Sequence, residues 1–362
     1  HGDEARLSCL DARSGQFLWK FAYETDYVDL LNYNNGPRCS PVIDAGRVYL
    51  FGAEGMLRCV TAEEGRLVWK VDTARRFGVV QNFFGVGSTP VVEGDLLIVV
   101  VGGSPPESQD AGRYNLDRVV GNGSGIVAFD KRSGEVRYTI SDELAGYASP
   151  QTATIDGRRW CFVFARGGLV GFDPATGEID FHYPWRSRLR DSVNASTPVV
   201  VGNEVFISEC YGPGSSLLRV RPGGYDVVWA DPPGRNKAMQ THWNTPIYHR
   251  GYLYGSSGRH APEAELRCIE WKTGKIMWSK PGLSRASLLY VDGYFICLGE
   301  DGVLRLVTAT EKAYVEKARI EVTEPSGGRR LVRPPAWAAP ILSHGLLYVR
   351  GADRLVCMQL IQ

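Results

Sequence analysis

The sequence predicts an all-β fold: an eight-bladed β-propeller of four-stranded antiparallel blades with its N-terminal half-blade missing, seven blades being the alternative. Three observations predict it. The stretch Arg38 to Trp69 reads as four short alternating strands, Ser40 to Asp44, Arg47 to Phe51, Met56 to Thr61 and Arg66 to Val71, parted by Gly-containing turns, which is the pattern of an antiparallel sheet. A proline marks the first strand at positions 41, 90, 150, 198, 246 and 340, with Leu288 in the unit that lacks it, so the unit returns after gaps of 49, 60, 48, 48, 42 and 52 residues. The turn between third and fourth strands reads Asp11 to Gly15, Thr61 to Gly65, Asp130 to Gly134, Asp173 to Gly177 and Glu270 to Gly274, and an aromatic stands four residues after each Gly, at Trp19, Trp69, Tyr138, Phe181 and Trp278. Aspartate at the head of such a turn accepts from amides two and three residues on, and glycine at its end takes positive φ. The aromatic is placed to bury its ring between neighbouring blades.

Taken in order, residues 5–21 carry only the third and fourth strands of a unit, and Tyr23 to Gly36 connects them to the first complete one. Complete blades are expected at about 38–71, 86–140, 147–183, 194–230, 241–279 and 285–320, with a last blade at 336–362 that supplies strands one to three, all in a single propeller domain over 1–362. Gly102 to Gly125 is an insertion between the second and third strands of its unit, either a tolerated surface loop or a lid. Pro184 to Val193, with Arg186, Arg188 and Arg190, is a basic connector, either solvated or an anion-contacting edge. Trp229 takes the aromatic role in the unit whose turn is Pro222-Gly223-Gly224, and Thr308 to Lys312 has lost the turn signature. The partial units at the two ends are complementary. With His1 rather than Met at the start, a processed or trimmed product is expected, its first half-blade preceding His1.

Composition excludes some partners. Lys+Arg 41 against Asp+Glu 40, with no long run of one sign, leaves no electrostatic footprint for nucleic acid or an anionic membrane. The longest apolar run, Leu96 to Val101, is far too short to span a bilayer. Of the eight cysteines, Cys9, Cys59, Cys268 and Cys357 share the third-strand position of four different units. Equivalent positions in separate blades lie too far apart to bridge, so these read as small buried apolar residues. Six histidines without ligand spacing give no metal site. Asn194-Ala195-Ser196 fits a glycosylation sequon but sits at the start of an inner strand, and is discounted.

The remaining chemical signal is positional. In a propeller the first strand of each blade lines the central channel, so the residues just before it lie at one rim. Those of chemical interest are Arg38, Asn194, His242, Trp243, Asn244, Arg285 and Trp337, with Gly87 and Ala148 at the equivalent places. Two Arg, two Asn, one His and two Trp around an axis could bind a polar or anionic planar ligand by stacking and hydrogen bonds. The alternative is a water-filled channel plugged by its own polar side chains.

The recurring D-x-x-(S/T)-G-x-x-x-W unit, from Leu7 to Trp19 through to Leu355 to Leu360, resembles the repeat of the pyrroloquinoline-quinone (PQQ) binding-like propellers. That resemblance implies a family holding quinoprotein alcohol dehydrogenases, the non-enzymatic propeller of the outer-membrane protein assembly machinery, and exported bacterial proteins of unknown function. Stretches such as Gly36 to Val60 and Met239 to Pro246 look most like the last group. The quinoprotein enzymes hold PQQ with an adjacent-cysteine disulfide, a Trp floor and a calcium bound by Glu, Asn and Asp. Adjacent cysteines are absent from this chain, and Trp243 or Trp337 is the candidate floor. The expectation is therefore an exported (periplasmic or extracellular) monomeric scaffold without its own catalysis, binding a protein partner or a small polar or carbohydrate ligand at the propeller face. No cofactor is expected, and catalytic residues are not assigned. The alternative is a PQQ- and calcium-dependent dehydrogenase of an alcohol or sugar. A propeller hosts many unrelated functions.

Overall fold

In the computed structural model the described residues are 4–31, 33–111, 113–189, 193–324 and 327–360. Arg190 of the basic connector lies outside them. Nearly all regular structure is antiparallel β. A two-stranded sheet, β1 (Glu4–Leu10) and β2 (Phe17–Glu24), comes first. Then follow β3 (Val42–Asp44), β4 (Arg47–Phe51), β5 (Met56–Thr61) and β6 (Leu67–Asp72); β7 (Val91–Glu93), β8 (Leu96–Val100), β9 (Ile126–Asp130) and β10 (Val136–Ile140); and β11 (Gln151–Ile155), β12 (Arg158–Phe164), β13 (Gly168–Phe172) and β14 (Ile179–Pro184). The next are β15 (Val199–Val201), β16 (Glu204–Glu209), β17 (Gly214–Arg221) and β18 (Gly224–Ala230); β19 (Ile247–His249), β20 (Tyr252–Ser257), β21 (Glu265–Glu270) and β22 (Ile276–Pro281); and β23 (Ala286–Val291), β24 (Tyr294–Gly299), β25 (Val303–Thr308) and β26 (Glu316–Glu321). The last sheet has three strands, β27 (Ile341–Ser343), β28 (Leu346–Arg350) and β29 (Leu355–Gln359). Strand order in every sheet follows the chain. This is the β-propeller class, with six complete sheets and a partial one from each end of the sequence. The chain divides into two compact units, His1–Asn203 with Val220–Tyr225, and Glu204–Arg219 with Asp226–Gln362.

Proline sets where first strands begin. Each starts on the residue after its Pro, at Val42, Val91, Gln151, Val199, Ile247 and Ile341, because proline gives the ladder no N–H. Where Leu288 replaces it the strand starts three residues earlier, at Ala286, and pairs from Ala286↔Gly299 to Val291↔Tyr294. The turn signature works as expected. Asp130 accepts from Arg132 N at 2.8 Å and Ser133 N at 2.9 Å, and Gly134 sits at φ 76.

Sheets pack face to face through alternate residues of their inner strands. Leu97, Val99 and Val101 join Tyr49, Phe51, Leu57 and Cys59 of the preceding sheet. Ile98 and Val100 face Cys161, Val163 and Phe172 of the following one. Period two with both faces covered explains the apolar run Leu96 to Val101, and each such side chain contributes roughly 1.5–3 kcal/mol. In the second unit the same layering joins Tyr254 and Cys268 to Phe295 and Cys297.

Several expectations need correction or detail. The connector after β6 opens with a short helix, α1 (Thr73–Phe77), capped by Asp72 and ended by Gly78 at φ 68. The insertion holds two short 3-10 helices, Pro106–Ala111 and Arg113–Arg118. Its Leu116 and Val119 are buried with Phe83, beside Leu30, Val80 and Leu144, so it is docked on its own unit. None of the eight cysteines is joined in a disulfide, and only Cys59 and Cys268 of the third-strand set are buried. Cys9 and Cys357 lie in the partial sheets and are intermediate and exposed.

Candidate functional site

Four of the seven predicted residues come together in the second unit. His242 and Trp243 precede β19, Arg285 precedes β23, and Trp337 precedes β27. The Arg285 guanidinium lies 4.3 Å from the Trp243 ring centroid. It also donates to both oxygens of Glu300, Nε to Oε2 at 2.8 Å and Nη2 to Oε1 at 2.6 Å. Trp337 Nε1 donates to the same Oε1 at 2.8 Å, and Trp243 Nε1 donates to the Trp337 carbonyl at 3.2 Å. The two indoles meet edge to face at 6.3 Å. His242 packs against Trp243 at 5.2 Å and Tyr211 at 5.8 Å, and Arg259 covers the Tyr211 ring at 4.3 Å. The result is a continuous aromatic surface with one arginine over each end.

The electrostatics follow from burial. Desolvation, then Arg285 and Arg259, drive His242 down to about 3, so its imidazole is neutral at physiological pH. Its Nδ1 is buried without a hydrogen-bond partner. Burial pushes Glu300 up, but the hydrogen bonds from Arg285 and Trp337 outweigh it and hold the carboxylate below its ordinary range. Burial raises Tyr211 to about 12. A part-buried guanidinium–carboxylate fork of this kind fixes both side chains.

The other predicted residues are occupied locally. Asn244 is 6 % exposed and donates to the Ala286 carbonyl at 2.6 Å, tying one sheet to the next. Arg38 pairs with buried Asp29 at 2.7 Å, whose carboxylate also accepts from the amides of Leu31, Tyr33 and Asn34; Arg38 therefore braces the connector that precedes its blade. Asn194 is 1 % exposed and its Nδ2 donates to the carbonyls of Ala165, Arg166 and Trp185. Sequence reasoning missed Tyr211, Arg259 and Glu300. All three lie between the second and third strands of their blades. The repeat gives no signal for Glu300: in the corresponding turn of the first complete blade, Gly52-Ala53-Glu54-Gly55 against Gly299-Glu300-Asp301-Gly302, it stands opposite Ala53, and the shared acid is Asp301 opposite Glu54.

PQQ held by calcium does not fit this cluster. Calcium takes six to eight oxygen ligands, whereas both oxygens of Glu300 are committed to Arg285 and Trp337. Among the described residues no group of three His, Cys, Asp or Glu is arranged to hold an ion. No helix among them is long and apolar enough to cross a membrane.

The family model described as "Outer membrane protein assembly factor BamB" matches residues 3–280. No curated protein matches the sequence. Among solved structures, BamB from Moraxella catarrhalis is similar at a TM-score of 0.62 and 16% identity, over 98% of this chain and 88% of that one. A quinohemoprotein alcohol dehydrogenase from Comamonas testosteroni is similar at 0.61 and 13%, over 95% of this chain and 67% of that one. At these identities the likeness concerns the fold.

Proposed function

Because the chain belongs to the family of the outer membrane protein assembly factor BamB, we propose that it is an exported binding scaffold without its own catalysis, whose ligand is a protein. The observation that carries this reading is the Arg285–Trp243–Trp337–Glu300 cluster, in which Trp337 remains 36% exposed. Tryptophan and arginine dominate the energetics of protein interfaces. Side chains already held by one another lose little conformational entropy when a partner docks. The acid and base groups of the cluster are bound to each other or neutral, an arrangement suited to recognition. A partner presenting an aromatic or apolar side chain would lie on the indoles, with polar contacts to Arg259 and Arg285 at the margin.

The test begins with a photo-crosslinking residue at position 337 and, as a control, at exposed Ile43. A partner identified only from position 337 is then purified and titrated against wild type, Trp337→Ala and Trp243→Ala. A loss of tenfold or more in affinity, about 1.4 kcal/mol, supports the reading. Tight, calcium-dependent uptake of PQQ with dye-linked turnover of an alcohol would replace it with the dehydrogenase.

A further inference from the structure

Two adjacent residues of the insertion between β8 and β9 occupy one place in the first unit in two different ways. Leu116 is 2% exposed and lines a cavity together with Val86, Val100, Leu144 and Arg166. Its neighbour Asp117 accepts from two arginines, Arg166 Nη2 at 3.2 Å and Arg186 Nη2. Arg166 is 3% exposed and belongs to both groups, so the apolar cavity and the ion cluster are continuous. The hydrogen bond from Arg186, helped by Arg166, outweighs burial and holds the Asp117 carboxyl below its ordinary range. The group that bridges the two guanidinium ions is therefore a carboxylate at neutral pH.

With the insertion in place the cavity measures about 20 Å³, room for about one water molecule. Ser88 lines it and is 1% exposed, and among the described residues its hydroxyl is buried without a hydrogen-bond partner. Arg186 Nε is buried in the same condition. Such groups are few in native proteins, and these two belong to one cavity and its ion cluster. The base of the insertion is held independently of them. Gly102 N and Gly103 N donate to the carbonyls of Gly125 and Ser124 at 3.0 and 3.2 Å, and β8 pairs with β9 from Leu96↔Asp130 to Val100↔Ile126. Leu116 and Asp117 can therefore leave together without breaking the sheet below.

We propose that this cavity is a binding site for an aliphatic carboxylate, and that Leu116 and Asp117 are its built-in occupant. A small aliphatic acid reproduces both halves of that pair. Its chain takes the place of the Leu116 side chain in the cavity, and its carboxylate takes the place of Asp117 on Arg166 and Arg186, whose guanidinium forks match a carboxylate's two oxygens. Ser88 adds a hydroxyl inside the cavity. Because the insertion competes with the ligand, apparent affinity scales with the fraction of molecules in which Leu116 and Asp117 are displaced. The site shares no residue with the Trp243–Trp337 cluster, so either reading can fail alone.

The probe is hexanoate, titrated into the full chain beside hexanol as the uncharged control, with the amide resonances of Ser88, Gly146 and Arg166 followed by NMR. Saturable binding that shifts these amides is expected, at least tenfold tighter in Asp117→Asn, which removes the competing carboxylate. Adding Arg186→Gln to that variant should weaken it again at least tenfold, and hexanol should bind at least tenfold more weakly than hexanoate. In the unaltered protein, saturating hexanoate should also speed tryptic cleavage after exposed Arg118, a readout of displacement that needs no substitution to fold. Hexanoate that binds neither protein, binds wild type and Asp117→Asn equally, or is matched by hexanol would overturn the proposal. So would cleavage after Arg118 that saturating hexanoate leaves unchanged. None of these outcomes bears on the partner captured at position 337.

Discussion

The indole of Trp69 lies on Gly134, a residue of the next sheet: a Cβ built on that glycine would stand 2.8 Å from the ring. Trp69 Nε1 donates to the carbonyl of Lys131 in the same turn at 3.3 Å. Trp229 repeats the contact with Gly274, donating to the Trp271 carbonyl at 2.8 Å. Tyr138 does so with Gly177, donating to Pro174 at 2.7 Å. The turn signature and the aromatic that follows it are thus two halves of one joint between consecutive sheets.

This joint predicts a separable glycine effect. Gly134 and Gly157 have nearly the same φ, 76 and 77, but nothing lies within 4 Å of a Cβ at Gly157. Alanine at either site meets the left-handed penalty of about 1–2 kcal/mol. Only Gly134→Ala adds overpacking against the ring, typically about 1–3 kcal/mol. Urea midpoints should therefore rank Gly134→Ala well below Gly157→Ala, and a Trp69→Ala background should remove most of the difference. Equal midpoints would mean the ring contributes no steric restraint.

The same joint shows why most of the fold was legible. Arg47 to Phe51 and Met56 to Thr61 match β4 and β5 to the residue, since a turn ending on glycine, Gly55 and Gly65, follows each. α1 was not, because five residues capped by Asp72 and Gly78 leave no periodic trace. In the candidate site, His242, Trp243, Arg285 and Trp337 were legible through their fixed distance from the first strand. Arg259, Tyr211 and Glu300 come from hairpins whose lengths vary from blade to blade, so no spacing identifies them. The role of Arg38 depends on Asp29, nine residues away in a connector that does not repeat.

Glu204 should behave as a buried anchor. It is 3 % exposed and accepts from Trp271 Nε1 at 2.6 Å, Lys272 Nζ at 2.7 Å and Arg219 Nη2 at 2.9 Å. Burial pushes its carboxyl up, but the bonds from Lys272, Trp271 and Arg219 together bring it below its ordinary value. A carboxylate lowered on folding stabilises the native state above its unfolded pKa and loses that contribution as pH falls through the folded one. Glu204→Gln keeps the shape and removes the charge, so it should cost about 2–3 kcal/mol at pH 7. The gap from wild type should close on acidification below pH ~4. A gap that stays constant with pH would show that the charge is not what matters.

Asn194 gives the opposite pH signature when altered. Its amide faces three carbonyl oxygens, Ala165 at 2.7 Å, Arg166 at 3.2 Å and Trp185 at 3.3 Å. Asn194→Asp places a carboxylate among acceptors, and an uncompensated buried charge costs about 3–5 kcal/mol. That acid would titrate above its unfolded value, so the penalty should shrink as pH falls and the group takes a proton able to reach one carbonyl. Thermal unfolding of the variant at pH 4 and pH 8 measures it. A variant more stable at pH 8 than at pH 4, relative to wild type, would contradict the hydrogen-bond assignment.

His242 makes the pH dependence of the candidate site itself testable. Burial, reinforced by Arg285 and Arg259, lowers it to about 3, against an ordinary value near 6.5. Between these values the unfolded chain binds a proton that the native one refuses, so native stability must fall as the medium is acidified from pH ~6.5 toward 3. The slope attributable to this group approaches about 1.4 kcal/mol per pH unit at its steepest. In His242→Gln, which cannot titrate, urea-derived stability should be flatter by that amount over the same window and unchanged in shape above it. The imidazole carbon resonance of His242 should also stay at its neutral position down to pH 5. A resonance that titrates near 6.5 would mean that the imidazole is solvated, and that Tyr211, His242 and Trp243 do not form the closed aromatic surface on which the binding reading rests.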